Sequence, residues 1–285
     1  MQSRKLELKH VVRHAILIAG SLLMMLPLLI VFLTSTHHAV DIHSGGLQYN
    51  LGTALVENYR TVMFDRSGFT KSINGMTMLS NSLLLGVGFA VGKIAVSMLA
   101  AYALVYFRIR GASLIFGLIF TTLLLPLEVR ILPTYEAVHH MGLANTYTGL
   151  ILPLIASATG TFYFRQFFQS VPDELLDAAR MDGAGPLKFL VDVLLPISRT
   201  MIAALFIIMF VVGWNQYLWP TLITTEEGFF TLVRGIKQIL QVWIGSNIPE
   251  YGQAMALTLL ALLPPALVVI IFQSWFVKGL TESDK

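Results

Sequence analysis

The sequence predicts an all-α integral membrane protein with six transmembrane helices. Three observations carry this: long runs without charge, a deficit of charged residues overall, and a one-sided placement of Lys and Arg.

The chain has 285 residues, of which 55% are hydrophobic and only 12% charged. Soluble domains hold a comparable apolar share but roughly 25% charged residues, so the missing charge is the sharper signal. Residues 15–33, 111–127, 141–164, 200–225 and 251–277 contain no Asp, Glu, Lys or Arg, and 80–107 contains only Lys93. A helix needs about 20 apolar residues to cross the hydrocarbon core. Backbone groups facing lipid must be paired within their own segment, so each run reads as a helix. The first run is long, contains Pro27 and lacks a small-residue cleavage site, so it reads as a retained span and not a signal peptide. With no cysteine, thiol chemistry, disulfides and thiolate metal sites are excluded.

Basic residues near span ends set orientation. With six spans both termini share one side. Placing them in the cytoplasm puts Arg4, Lys5, Lys9, Arg13, Arg108, Arg110, Arg165, Arg180, Lys188, Arg199, Lys278 and Lys285 inside, against Arg60, Arg66, Lys71, Arg130, Arg234 and Lys237 outside. The expected layout is a cytoplasmic N-terminus at 1–13, a membrane domain at 14–277 and a cytoplasmic C-terminus at 278–285. Residues 34–79 form a polar external segment, 133–145 a short external connection and 169–198 a cytoplasmic loop. His37, His38 and His43 read as solvated loop residues, since a metal site needs ligand geometry and a second shell.

The loop 169–198 carries the most chemistry. Pro172 suits the start of a helix, and Asp173 and Glu174 favour its positive end. Leu175, Leu176, Ala179 and Met181 give that helix an apolar side. Gly183-Ala184-Gly185-Pro186 stops it, because Gly releases the backbone and Pro cannot continue the ladder. A second helix over 187–195 runs up to Pro196. A short helix–turn–helix of this kind is shaped to dock into a partner's groove.

The segment resembles the EAA loop of ABC importer permeases, which reads Glu-Ala-Ala, three residues, Gly, nine residues, Ile-x-Leu-Pro. Here Asp177-Ala178-Ala179 is followed at the same spacing by Gly183 and by Val193-Leu194-Leu195-Pro196, with Asp for Glu and Val for Ile. Further segments carry the likeness: Gly92-Lys93-Ile94-Ala95, Leu125-Pro126-Leu127-Glu128-Val129-Arg130, Ser157-Ala158-Thr159-Gly160 and Gly213-Trp214-Asn215-Gln216-Tyr217. Together they resemble the permeases of sn-glycerol-3-phosphate importers, in the carbohydrate-uptake group that also holds the maltose permeases, over residues 14–285.

The resemblance implies a type I (MetI-like) permease fold in the inner membrane. It implies as partners a homologous second permease, two copies of an ATPase subunit, an external solute-binding protein and the lipid bilayer, with no nucleic acid. ATP and Mg would be used by the ATPase, this chain binding no cofactor. The coupling residues carried over are Glu174, Asp177, Ala178, Ala179, Asp182, Gly183 and Pro196. The implied solute is sn-glycerol-3-phosphate or a glycerophosphodiester, moved by alternating access; a sugar such as an oligosaccharide is the alternative.

Polar residues inside spans are the candidates for the translocation pathway: Lys93, Glu128, Arg130, Trp214, Asn215, Gln216 and Tyr217. A buried ammonium costs about 2.5–3.5 kcal/mol on insertion scales, so Lys93 should face water or a partner. It either attracts an anionic solute or pairs with a carboxylate of the second permease. Arg130 either meets a phosphate through a bidentate contact or is an interfacial anchor, with Glu128 beside it. Asn215 and Gln216 either line the path or hold helices together. Gly88 and Gly92 have the spacing of close helix packing.

No catalytic constellation and no phosphate-binding Gly-x-x-x-x-Gly-Lys-Ser/Thr loop is present, so ATP belongs to another chain. An ion-coupled carrier would place carboxylates in mid-span, and the uncharged runs have none. A membrane enzyme would need converging acids, bases or metal ligands there, and none is seen.

Overall fold

A computed structural model describes residues 2–65, 72–241 and 248–281, and every element among them is helical. Three unbroken helices are long and apolar enough to cross a membrane: Lys9–Ser35, Gly75–Tyr106 and Tyr251–Gln273. Three more crossings are available as bent pairs. Ala112–Leu124 meets Val129–His140 at 104°, Tyr147–Leu154 meets Ala158–Ser170 at 51°, and Pro186–Ile197 meets Arg199–Trp214 at 76°. By length and composition the helices provide up to the six crossings expected, the last bent pair through its apolar half Arg199–Trp214, since Pro186–Ile197 falls in the segment read as the loop 169–198.

The bends have local causes. Leu125 is extended ahead of Pro126, as sterics demand of a residue before proline. Ser157 starts the second half of its pair as N-cap, its hydroxyl oxygen accepting from the Gly160 N–H at 3.2 Å. Two expectations change here. The connection expected over 133–145 is helical as far as His140, with Pro133 inside the helix Leu127–His140 at the cost of the bond it cannot give the Val129 carbonyl. The run 200–225 is not one helix: Arg199–Trp214 ends at Asn215, and Leu218–Ile223 starts again after a break.

The chain divides into two compact units. One comprises Met1–Thr77 and Leu232–Leu263. Its long helix ends in a buried turn, Thr34 to His37. The Asn58 amide donates to the Ser35 and His37 carbonyls at 2.8 and 2.9 Å, and Thr36 Oγ1 accepts from the Gly52 N–H at 2.7 Å. His37 is therefore not a solvated loop residue; the chain folds back over it, and its Nδ1 lies 3.0 Å from the Leu33 carbonyl. His38 and His43 are at the surface. Most apolar side chains of the first helix, Leu23 and Met24 among them, are exposed, which suits a face turned to lipid.

The other unit comprises Met78–Thr231 and Pro264–Lys285. Leu85, Ile131, Leu150, Trp219 and Ile223 share one core in it. Pro153 has no N–H to give the Gly149 carbonyl, and the Trp219 indole N–H takes over, donating to Gly149 and Leu150 at 3.2 Å each. Gly88 and Gly92 do serve packing: a Cβ on either would overlap the side chains of Ile151 and Ile155.

Candidate functional site

Two arrangements, both within the second unit, contain the residues singled out in the sequence. The first is the segment after Ser170. Helix Asp173–Met181 begins at Pro172, with Asp173 and Glu174 in its first turn. It ends in a Schellman cap: Ala184 N–H donates to the Ala179 carbonyl at 2.9 Å and Gly183 N–H to Arg180 at 3.0 Å. Gly183 has φ +72°, a left-handed conformation. Pro186 opens the next helix, Pro186–Phe189, which widens into a π turn over Leu190–Leu194 before Leu195–Ile197. That widening immediately precedes Pro196, which cannot donate to the carbonyl four residues back.

Of the residues on this segment, Ala179 is buried, while Glu174, Asp177, Ala178, Asp182 and Gly183 are exposed. Asp177 and Arg180 pair at 3.6 Å one helical turn apart, both at the surface, a contact worth about 0–1 kcal/mol. Met181 is 84% and Leu187 72% exposed. Apolar side chains so placed beside acidic ones form a surface that wants a partner. Leu175 and Met181, read in the sequence as part of the helix's apolar side, are exposed.

The second arrangement gathers three of the polar candidates. Lys93, Arg130 and Gln216 line a cavity of about 270 Å³ together with Phe89, Thr134 and Trp219. Lys93 and Arg130 also line a second cavity, of about 400 Å³, with Thr122, Ser157 and Thr161. The two cations therefore stand where two cavities meet. Lys93 Nζ lies 4.4 Å from the centroid of the Phe89 ring, one turn back on its helix. Among the described residues neither cation has a carboxylate within ion-pair distance. Glu128 belongs to the helix of Arg130, and its side chain lies outside the described residues.

The run Trp214–Tyr217 splits by role. Trp214 is buried and tilted against Phe210, ring centroids 5.7 Å apart. Asn215 is exposed at the helix end, its amide donating to the Val211 carbonyl at 3.0 Å. Gln216 faces the cavity and Tyr217 is half-buried. Sequence reasoning missed Phe89 and Trp219; the i, i+4 spacing of Phe89 and Lys93 was the available signal.

Comparison with known proteins agrees with this architecture. Residues 93–282 match the family described as "Binding-protein-dependent transport system inner membrane component". The chain belongs to that family. It is a permease subunit of an ABC importer, a multi-pass inner-membrane protein. The permease is 46% identical over 272 residues to the sn-glycerol-3-phosphate transport system permease protein UgpE of Pectobacterium atrosepticum, covering 95% of this chain and 96% of that one. It is 43% identical to proteins of the same name from Brucella melitensis biotype 1, over 97% of both chains, and Rhizobium meliloti, over 99% of both. A solved bacterial ABC transporter involved in the import of the acidic polysaccharide alginate shares the permease fold. Its TM-score is 0.78 at 20% identity, over 95% of this chain and 97% of that one.

Proposed function

We propose that this permease imports sn-glycerol-3-phosphate, as the names of its relatives state for them. In this reading it pairs with a homologous second permease, two copies of an ATPase and an external binding protein. ATP and Mg are handled by the ATPase, and this chain does no covalent chemistry. Both termini and the segment 169–198 face the cytoplasm.

The observation that carries the coupling role is the exposed, Schellman-capped helix Asp173–Met181 with Met181 and Leu187 turned outward beside Glu174, Asp177 and Asp182. A short capped helix is a rigid lever, and its bare apolar side chains gain from burial in a groove. Closure of the ATPase pair on ATP pushes this lever. The π turn and the 76° bend beyond it pass the movement to Arg199–Trp214. The solute then enters from the binding protein as the helices switch between outward- and inward-open states.

The test is uptake by the complete complex in proteoliposomes, comparing labelled sn-glycerol-3-phosphate, a glycerophosphodiester and maltose. ATP-dependent accumulation of sn-glycerol-3-phosphate is expected. Accumulation of maltose without it would replace the solute while keeping the transport role.

A further inference from the structure

We propose that Lys93 and Arg130 together form the phosphate-binding point of the solute path, receiving the phosphate monoester of a small solute where two cavities meet. The proposal deepens the importer reading above and rests on it.

The geometry makes a resident structural role for the pair expensive. Both groups are cations, both line both cavities, and no acidic residue is among the described lining of either. Lys93 is half-buried and Arg130 exposed; like charges at one junction repel, and an unmatched charge within a span is costly once a partner or lipid covers it. The Phe89 ring face under Lys93 offsets only part of that cost. A phosphate monoester carries about −1.5 to −2 charges near pH 7 and three acceptor oxygens, so a single group can satisfy both cations. The roles divide by chemistry: the Arg130 fork suits two oxygens at once, and the Lys93 ammonium acts as a point charge. Gln216, on the wall of the smaller cavity, can donate to or accept from a hydroxyl.

Volume points the same way. The cavities, of about 270 and 400 Å³, have room for a three-carbon phosphate ester, the smaller lying just under the roughly 300–1,000 Å³ of ligand pockets. Because Lys93 and Arg130 belong to both, an anion can pass from one cavity to the other without leaving its counter-charges.

The test uses the complete complex carrying Lys93→Gln, Arg130→Gln, Lys93→Arg or Arg130→Lys, each checked for intact assembly by affinity purification. Each charge-removing variant should lower sn-glycerol-3-phosphate uptake about tenfold or more; Lys93→Arg should stay within a few-fold of the parent, and Arg130→Lys, which keeps the charge but loses the fork, should fall in between. Parental uptake by both Gln variants would overturn the site and leave the importer reading standing. A parent complex that carries maltose and not sn-glycerol-3-phosphate would overturn both. An anionic lipid headgroup is the other source of phosphate, so uptake is repeated in phosphatidylcholine vesicles with and without phosphatidylglycerol. Equal defects in both vesicle types support the solute site. Defects seen only with phosphatidylglycerol would assign the cations to lipid instead.

Discussion

The Tyr102 hydroxyl donates to the Pro186 carbonyl at 2.8 Å, tying the end of helix Gly75–Tyr106 to the turn that follows helix Asp173–Met181. Tyr106 adds a bond to the Phe168 carbonyl at 3.3 Å and packs edge-on against Phe189, ring centroids 5.3 Å apart. Lys93 is on the same unbroken helix, nine residues earlier. Tyr102→Phe removes one neutral hydrogen bond, worth about 1 kcal/mol, while the Pro186 carbonyl keeps the Leu190 N–H. The expected outcome is an assembled complex that hydrolyses more ATP per solute moved. An unchanged ratio of uptake to hydrolysis would remove Tyr102 from the coupling route.

Gly183 is open around its missing Cβ, with nothing within 4 Å, so a side chain there meets no clash. The penalty is conformational: a left-handed residue costs about 1–2 kcal/mol, more for a β-branched one and less for Asn. Gly183→Val should insert in the membrane but lose uptake, with Gly183→Asn in between. Uptake and ATPase co-purification measured together check this, and normal values for Gly183→Val would show that the turn does not matter.

Orientation can be read with one cysteine, since the native chain has none. Lys188→Cys, at an exposed position, should react with an impermeant maleimide in inverted vesicles and stay silent in intact cells. Labelling from outside would reverse the layout derived from the basic residues.

Asn81 is buried, donating to the Gly228 and Phe230 carbonyls at 2.7 and 2.9 Å and accepting from the Tyr147 hydroxyl at 2.7 Å. Bonds of this kind in membrane proteins average about 0.6 kcal/mol each, so Asn81→Ala should destabilise by about 2 kcal/mol. The checks are a lower thermal midpoint for the purified complex and faster proteolysis near Glu227. An unchanged midpoint would show that other contacts hold this loop.

Glu250 lies just before the last long helix, and its carboxyl is held above the usual range first by burial and then by the Glu57 carboxylate, with His38 opposing. A raised acid favours folding most fully below its ordinary pKa, and that contribution fades as pH rises through the raised value. Glu250→Gln should therefore gain thermal stability relative to the parent at pH 8 more than at pH 5. Equal gains at both would argue against the burial effect.

The helix–turn–helix within 169–198 was readable because its determinants are local: Pro172, Gly183 and Pro186 each act within a few residues. The bends were not read from hydropathy, which averages over a window and passes straight through Pro126 and the Asn215 break, although Leu125-Pro126 carried the signal. Tyr102, Asn81 and Trp219 act across 65 residues or more of chain. No spacing rule reaches that far. His37 was misread for the same reason, since only the fold brings Asn58 to its carbonyl. The meeting of Lys93 with Arg130 and Gln216 is likewise a tertiary fact, which the sequence offered only as three separate polar residues.

The cation pair also has an electrical consequence. A doorway that opens alternately to either side of an energised membrane must not short-circuit it. Fixed positive charge at a constriction raises the barrier to hydronium and sodium, as it does in water channels that exclude protons. An anion drawn inward moves against an inside-negative voltage, about 2.3 kcal/mol per charge for each 100 mV. In the proposed path the two cations lower the local barrier to the phosphate and raise it for positive ions, which the same voltage would otherwise draw inward.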